Sequence, residues 1–213
     1  MRRILIALSF AFADLIAVAA GLSAASPTQS AVVLPACDLI INGGFEDGPG
    51  SGPWITTTIE PSGAEFIGRA ITRTGRYSAR LAGHGLDAED TLAQIVTIPV
   101  TAPSAILSYA WLMTSTEPLS DPPNPHDFLT TTLRSADGVT VLHGLTEVHD
   151  QYDERVWHEV SFDVSDFAGQ TIQVHFLATN DFNLQDSPTA FFIDDVSLTI
   201  CYRTHLPLVT RNQ

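Results

Sequence analysis

Residues Phe191–Cys201 read FFIDDVSLTIC. The stretch is apolar and strand-like at both ends and carries two adjacent carboxylates, Asp194 and Asp195, in its middle. A half-buried strand takes on charge there only at a cost in free energy, unless something neutralises it. Three solutions are open at this point: a bound cation, backbone N–H donors that cap the strand, or an exposed edge. The stretch is expected to form the last core strand of an all-β domain. Its natural partner lies at the other end of the chain, Cys37–Glu46, CDLIINGGFE. If Cys37 and Cys201 are bonded and the two segments run antiparallel, Asp194 falls opposite Gly44, with Glu46 a residue or two away. Glu46, Asp194 and the carbonyls of the Asn42-Gly43-Gly44 turn would then offer the hard oxygen donors that calcium prefers.

The chain between these ends reads as short strands. Trp54–Glu60, Ala64–Arg69, Arg76–Leu81, Leu92–Ile98, Ala105–Met113, Asp127–Arg134, Val139–Thr146, Val156–Val164 and Thr171–Thr179 alternate or carry β-branched runs. Gly- and Pro-rich segments separate them, such as DGPGSGP at 47–53 and the proline-laden stretch 114–126. Leu107, Tyr109, Trp111 and Met113 share one face, as do Ile172, Val174 and Phe176, against Gln173, His175 and Leu177. Ser135-Ala136-Asp137-Gly138 is a hairpin signal. About eleven strands with little helical periodicity predict two packed antiparallel sheets, an all-β jelly-roll sandwich. One helical turn is expected at Asp166–Gly169, and the acidic tract His149–Glu154 reads as a solvated loop.

NGGFE near the start, TGRYSARL in the first third, WHEVSFDVSDFAGQTIQVHF in the last third and FFIDDVSL at the end occur in that order. The succession resembles the galactose-binding-like jelly-roll modules of secreted bacterial proteins, which include carbohydrate-binding modules and accessory domains of extracellular proteases. The resemblance spans Cys37–Cys201. It implies a structural calcium held by Glu46 and Asp194, and a glycan or other extracellular component as partner.

The termini fit export. Met1–Ala25 has a charged start at Arg2 and Arg3, an apolar run and the small residues Ser23-Ala24-Ala25, and is expected to be a signal peptide. Asp14 inside the run disfavours a retained membrane anchor, so no membrane insertion is expected after cleavage. Residues 26–36 form a linker, 37–201 the domain and 202–213 a tail containing LPLV, which resembles tails of some secreted bacterial proteins. The two cysteines flank the predicted domain. In an oxidising compartment a Cys37–Cys201 disulfide is the expected state, with two buried thiols as the alternative.

Charge and motifs narrow the function. Ten basic residues, none of them lysine, stand against 24 acidic ones, for a net charge of −14. That disfavours nucleic acid, whose phosphates need a basic surface, and is compatible with a neutral glycan. HExxH, GxSxG, P-loop and dinucleotide fingerprints do not occur. The sequence therefore points to a non-catalytic binding module of the cell exterior. An extracellular structural or adhesive protein is the alternative, and a glycoside hydrolase built on two carboxylates is a third reading. A sugar site on such a fold needs an aromatic platform beside polar side chains. Trp54, Trp157, Arg134, Gln173, His175 and Asn180 are the candidates, whereas Trp111 is expected in the core.

Overall fold

The computed structural model describes residues 38–59, 65–83, 88–116, 124–152, 155–180 and 189–200. Ten strands among them form two five-stranded antiparallel sheets. The first sheet has the order β1 (Ile55–Thr57), β4 (Ala88–Thr97), β9 (Thr171–Asn180), β6 (Phe128–Ser135) and β7 (Val141–His149). The second has β2 (Ile67–Gly68), β3 (Ser78–Ala82), β10 (Ala190–Thr199), β5 (Ile106–Thr114) and β8 (His158–Asp163). The chain crosses repeatedly between the sheets, staying in one sheet only at the β2–β3 and β6–β7 pairs. Among the described residues no helix is long and apolar enough to cross a membrane.

The alternation read from the sequence becomes the core. Leu107, Tyr109 and Met113 of β5 meet Leu129 and Leu133 of β6 and Ile172, Val174 and Phe176 of β9, all buried. Tyr109 stands edge-on to Phe176, and its hydroxyl joins the Thr131 and Thr146 hydroxyls of the opposite sheet. That satisfies the one polar atom the ring takes into the interior.

The adjacent aspartates mark a β-bulge. On β10, Phe191 and Ile193 face the core before the pair, and Val196, Leu198 and Ile200 after it. The two sets are out of phase, and strict alternation would bury only one. The pairing of β10 with β5 slips by one residue between Asp194 and Ser197, and Asp195 takes a positive φ of 51°. One extra residue thus restores the inward face. Aspartate tolerates this left-handed backbone better than most residues.

The segment after Cys37 is not a strand of either sheet but runs antiparallel beside β10. Asp38 and Thr199 form an isolated bridge, Leu39 N–H donates to the Leu198 carbonyl, and Val196 N–H donates to the Gly43 carbonyl. Gln94 of β4 holds the segment from the other sheet, exchanging two hydrogen bonds with the Ile41 peptide. At Gly43 a Cβ would collide with the Val196 carbonyl, so only glycine permits this approach. Cys37 and Cys201, the signal peptide 1–25, the linker 26–36 and the tail 202–213 lie outside the described residues.

Several local expectations change. Strand β1 is three residues and β2 two, shorter than read, and β4 begins at Ala88, four residues before the expected start at Leu92. The tract after His149 is not simply solvated. Asp150–Tyr152 is a 3-10 turn whose Asp150 is fully buried and accepts the His126 N–H. The expected helical turn near Asp166 is a 3-10 turn over Ser165–Phe167.

Candidate functional site

Three of the six proposed ligand residues come together on the outer face of the first sheet. Arg134 of β6 is directly opposite Gln173 of β9, and Thr132 is opposite His175. Their strand neighbours Leu133, Val174 and Phe176 fill the core, so alternation sends these side chains to the other face. One row across the sheet runs Ile95, Gln173, Arg134, Val141, and the next runs Ile55, Ala93, His175, Thr132, Gly144.

The β6–β7 hairpin shapes this patch. Ser135 and Thr140 close it by a backbone bond, and Asp137 Oδ1 accepts from the Ser135 hydroxyl and Val139 N–H, which holds the Asp137 carboxyl below its usual range. Gly138 follows with φ 75°, and a Cβ there would lie 2.9 Å from Gln173 Oε1. Arg134 Nη1 donates to the Gly138 carbonyl (3.2 Å) and Nε to the Thr132 hydroxyl (3.3 Å). Among the described residues no carboxylate stands within ion-pair distance of Arg134.

His175 is 6 % exposed, and its Nδ1 is buried without a hydrogen-bond partner. Burial, and then the charge of Arg134, lower its pKa from 6.5 to about 4. The ring is therefore neutral at ordinary pH and keeps one donor and one acceptor nitrogen. Gln173 adds an amide at 8 % exposure. The arrangement offers hydrogen bonds and one fixed positive charge. It offers no stacking platform, because none of the five strands of this sheet contains Trp or Tyr. Its aromatic pair, Phe128 and His149, lies at one end.

The other three candidates sit elsewhere. Trp54 is not outward-facing: it is buried at 9 % exposure, packs on Phe45 and Phe176 at 5.2 and 6.5 Å, and donates its Nε1–H to the Asn42 carbonyl. Its ring nonetheless helps wall a hollow of about 350 Å³ with Gly50, Ser51, Thr56, Glu65 and Phe66. Trp157 packs on Leu112, Ala190 and Phe192, on the outside of the second sheet. Asn180 is buried and donates to the Thr189 carbonyl. Large rings gain most by burial, and buried amides go where a backbone partner is. Trp111, expected in the core, packs against it while half-buried and stacks on His158 with centroids 4.3 Å apart.

The residues that resemblance assigns to calcium do lie close together. Around Gly44, the Asp194 and Asp195 carboxylates and the Glu46 side chain all come within 4.0 Å of where a Cβ would stand. Protein donors engage their oxygens. Asp194 Oδ2 accepts from Arg73 and Thr74 N–H and Oδ1 from Asp195 N–H; Glu46 Oε1 accepts from Arg76 and Tyr77 N–H. The Asn42 carbonyl takes Phe45 N–H and Trp54 Nε1–H, and the Gly43 carbonyl takes Val196 N–H. Burial raises the Asp194 pKa despite these donors. Arg73, which the sequence reading missed, bridges Asp195 and Glu159, and the Thr74 hydroxyl donates to Asp195. This clasp borders a second hollow of about 270 Å³ lined by Ser108 and Ser161. No group of three or more His, Cys, Asp or Glu side chains among the described residues is arranged to hold a metal ion. The donor type suits calcium, while the hydrogen bonds hold the turn without it.

No family model matches the chain, and no curated protein matches it. Solved structures do. TmCBM61, a carbohydrate-binding module in complex with β-1,4-galactotriose, is similar with a TM-score of 0.55 and 16 % identity, over 76 % of this chain and 98 % of that one. The K1 cleaved adhesin domain of Lys-gingipain from Porphyromonas gingivalis W83 is similar with a TM-score of 0.51 and 14 % identity, over 75 % of this chain and 96 % of that one. At such identities the likeness is one of fold, a two-sheet antiparallel β-sandwich.

Proposed function

We propose that the chain is an exported, non-catalytic module that binds a glycan on the outer face of the first sheet. The observation that carries this reading is the polar set of Arg134, Gln173 and His175 in two adjacent rows, with a buried His175 nitrogen that has no protein partner. Arg134, which is partly exposed, and the Gln173 amide beside it offer a hydroxyl-rich ligand polar bonds. The fold shared with a galactotriose-bound module supports it. A glycan array on the full chain, with folding checked by circular dichroism, tests it. A reproducible signal lost in His175→Ala and Gln173→Ala supports the reading, and a blank array overturns it.

Calcium is proposed as a structural ion beside Glu46, Asp194 and the Gly44 carbonyl. The support is charge: Asp194, Asp195, Glu46 and Glu159 gather about a clasp in which Arg73 supplies the bonded guanidinium. An ion bound only by the folded state raises Tm by mass action. Chelator should lower Tm, and calcium should restore it; an unchanged Tm leaves the hydrogen-bonded clasp as the whole explanation.

A structural or adhesive role is the second reading. It is favoured by the exposed apolar side chains of the β6–β7 hairpin and the edge strand β7, where Val139, Val141 and Leu142 are 77, 53 and 40 % exposed. An uncovered edge strand is a template for pairing with another chain. Concentration-dependent self-association in sedimentation, abolished by Val141→Lys, would favour it over glycan binding.

A further inference from the structure

We infer that the glycan taken by the first-sheet face is anionic, a uronate whose carboxylate pairs with Arg134; this rests on the glycan-binding reading above. Three observations lead there. First, Arg134 has no carboxylate within ion-pair distance among the described residues, in a chain with 24 acidic residues. Two bonds, to the Thr132 hydroxyl and the Gly138 carbonyl, hold the guanidinium beside Gln173. A planar guanidinium so fixed keeps further N–H donors in the geometry that matches a carboxylate.

Second, the two rows around it hold no acidic side chain. They consist of Ile95, Gln173, Val141, Ile55, Ala93, His175, Thr132 and Gly144 beside Arg134. The nearest acidic side chain on the face itself, Glu147, is paired with Thr130, two rows away. That is about 13 Å along the strands, beyond the screening length of about 8 Å in physiological salt. Asp137 in the neighbouring hairpin is bonded to Ser135 and Val139. Apart from Asp137, whose Oδ1 is engaged by Ser135 and Val139, the overall charge of −14 acts on an approaching anion from a distance, where salt screens it, while Arg134 acts at contact.

Third, among the described residues the strands of this face carry no Trp or Tyr platform. Neutral sugars are commonly held by stacking, whose large apolar area makes up for weak hydroxyl bonds exchanged with water. With no Trp or Tyr on these strands, affinity has to come from polar bonds, and charge-assisted ones are about twice as strong as neutral ones. His175, buried with an unpartnered Nδ1, and Gln173 would then read the ring hydroxyls beside the carboxylate.

The test is calorimetric titration of the full chain with oligogalacturonates and with β-1,4-galacto-oligosaccharides of equal length, at 50 and 500 mM salt. Oligogalacturonates should bind at least tenfold more tightly, and the margin should shrink at high salt. Arg134→Gln should remove the preference and Arg134→Lys should recover part of it. Arg69→Gln, which removes an equal charge from an arginine lying over Tyr77, should leave it intact. Galacto-oligosaccharide binding with no gain for the uronate overturns the anionic assignment and keeps the glycan reading. Arg134→Gln with an undiminished preference also overturns it. Binding of neither ligand by a folded protein overturns both.

Discussion

The outer faces of the two sheets use the same alternation of side chains but dispose of their polar groups differently. On the second sheet, Asp194 and Asp195 are bonded to Arg73 and Thr74, and the neighbouring apolar patch of Leu112, Ala190 and Phe192 is packed by Ile71 and Trp157. On the first sheet, Arg134 has no carboxylate partner among the described residues and His175 Nδ1 has no partner at all. Polar groups that close on one another hold a fold together. Polar groups held in place but left with spare capacity are the ones a ligand can use.

The largest effect should come from opening the clasp. Asp194→Ala strips the acceptor from Arg73, Thr74 and Asp195 N–H groups in a place that is fully buried. A loss of about 3 kcal/mol in urea unfolding is expected, from the cost of leaving buried donors unpaired. A loss no greater than that of an ordinary surface change would mean the two faces do not differ as described.

Gly138→Ala comes next and links the two properties on one face. It forces a side chain onto φ 75° and against Gln173 Oε1. About 1–2 kcal/mol of stability should go, together with glycan binding, because Gln173 has to move. Retained binding would place the ligand away from Gln173.

The last effect concerns pH and appears only on acidification. The His175 pKa is about 4 in the folded protein against 6.5 for an unhindered imidazole. The unfolded chain takes up that proton first as pH falls. The stabilising contribution of neutral His175 is thus complete above about pH 6.5 and is lost progressively toward pH 4. Denaturation curves between these limits should be steeper for the wild type than for His175→Asn, whose amide does not titrate. Parallel curves would show that His175 is not the buried neutral ring described.

Much of the architecture was legible. Period-two alternation placed Leu107, Tyr109 and Met113, and Ile172, Val174 and Phe176, on buried faces, since each alternation leaves only one apolar side. Gly44 was expected opposite Asp194; the Asp194 carboxylate does come within 4.0 Å of where a Gly44 Cβ would stand, while the bridge Asp38–Thr199 is one residue off the expected register. The site was legible only in part. Gln173 and His175 are polar positions in an apolar strand, and their alternation put them on the outer face. Trp54 was misplaced because a tryptophan at a loop–strand junction serves equally for stacking or core packing, and nothing local decides between them.

The sequence alone determined the sandwich, its acidity and most of the inward residues, because these follow from short-range alternation and turn chemistry. Tertiary structure decided the rest. It spent the second aspartate of FFIDDVSLTIC on a bulge that brings both halves of β10 into the core. It brought Arg73 from 121 residues away to the clasp, and set Arg134 beside Gln173 and His175 across a strand pair. Pairing between distant strands carries no local mark, so which polar groups find partners, and which remain open to a ligand, is settled only when the sheets close.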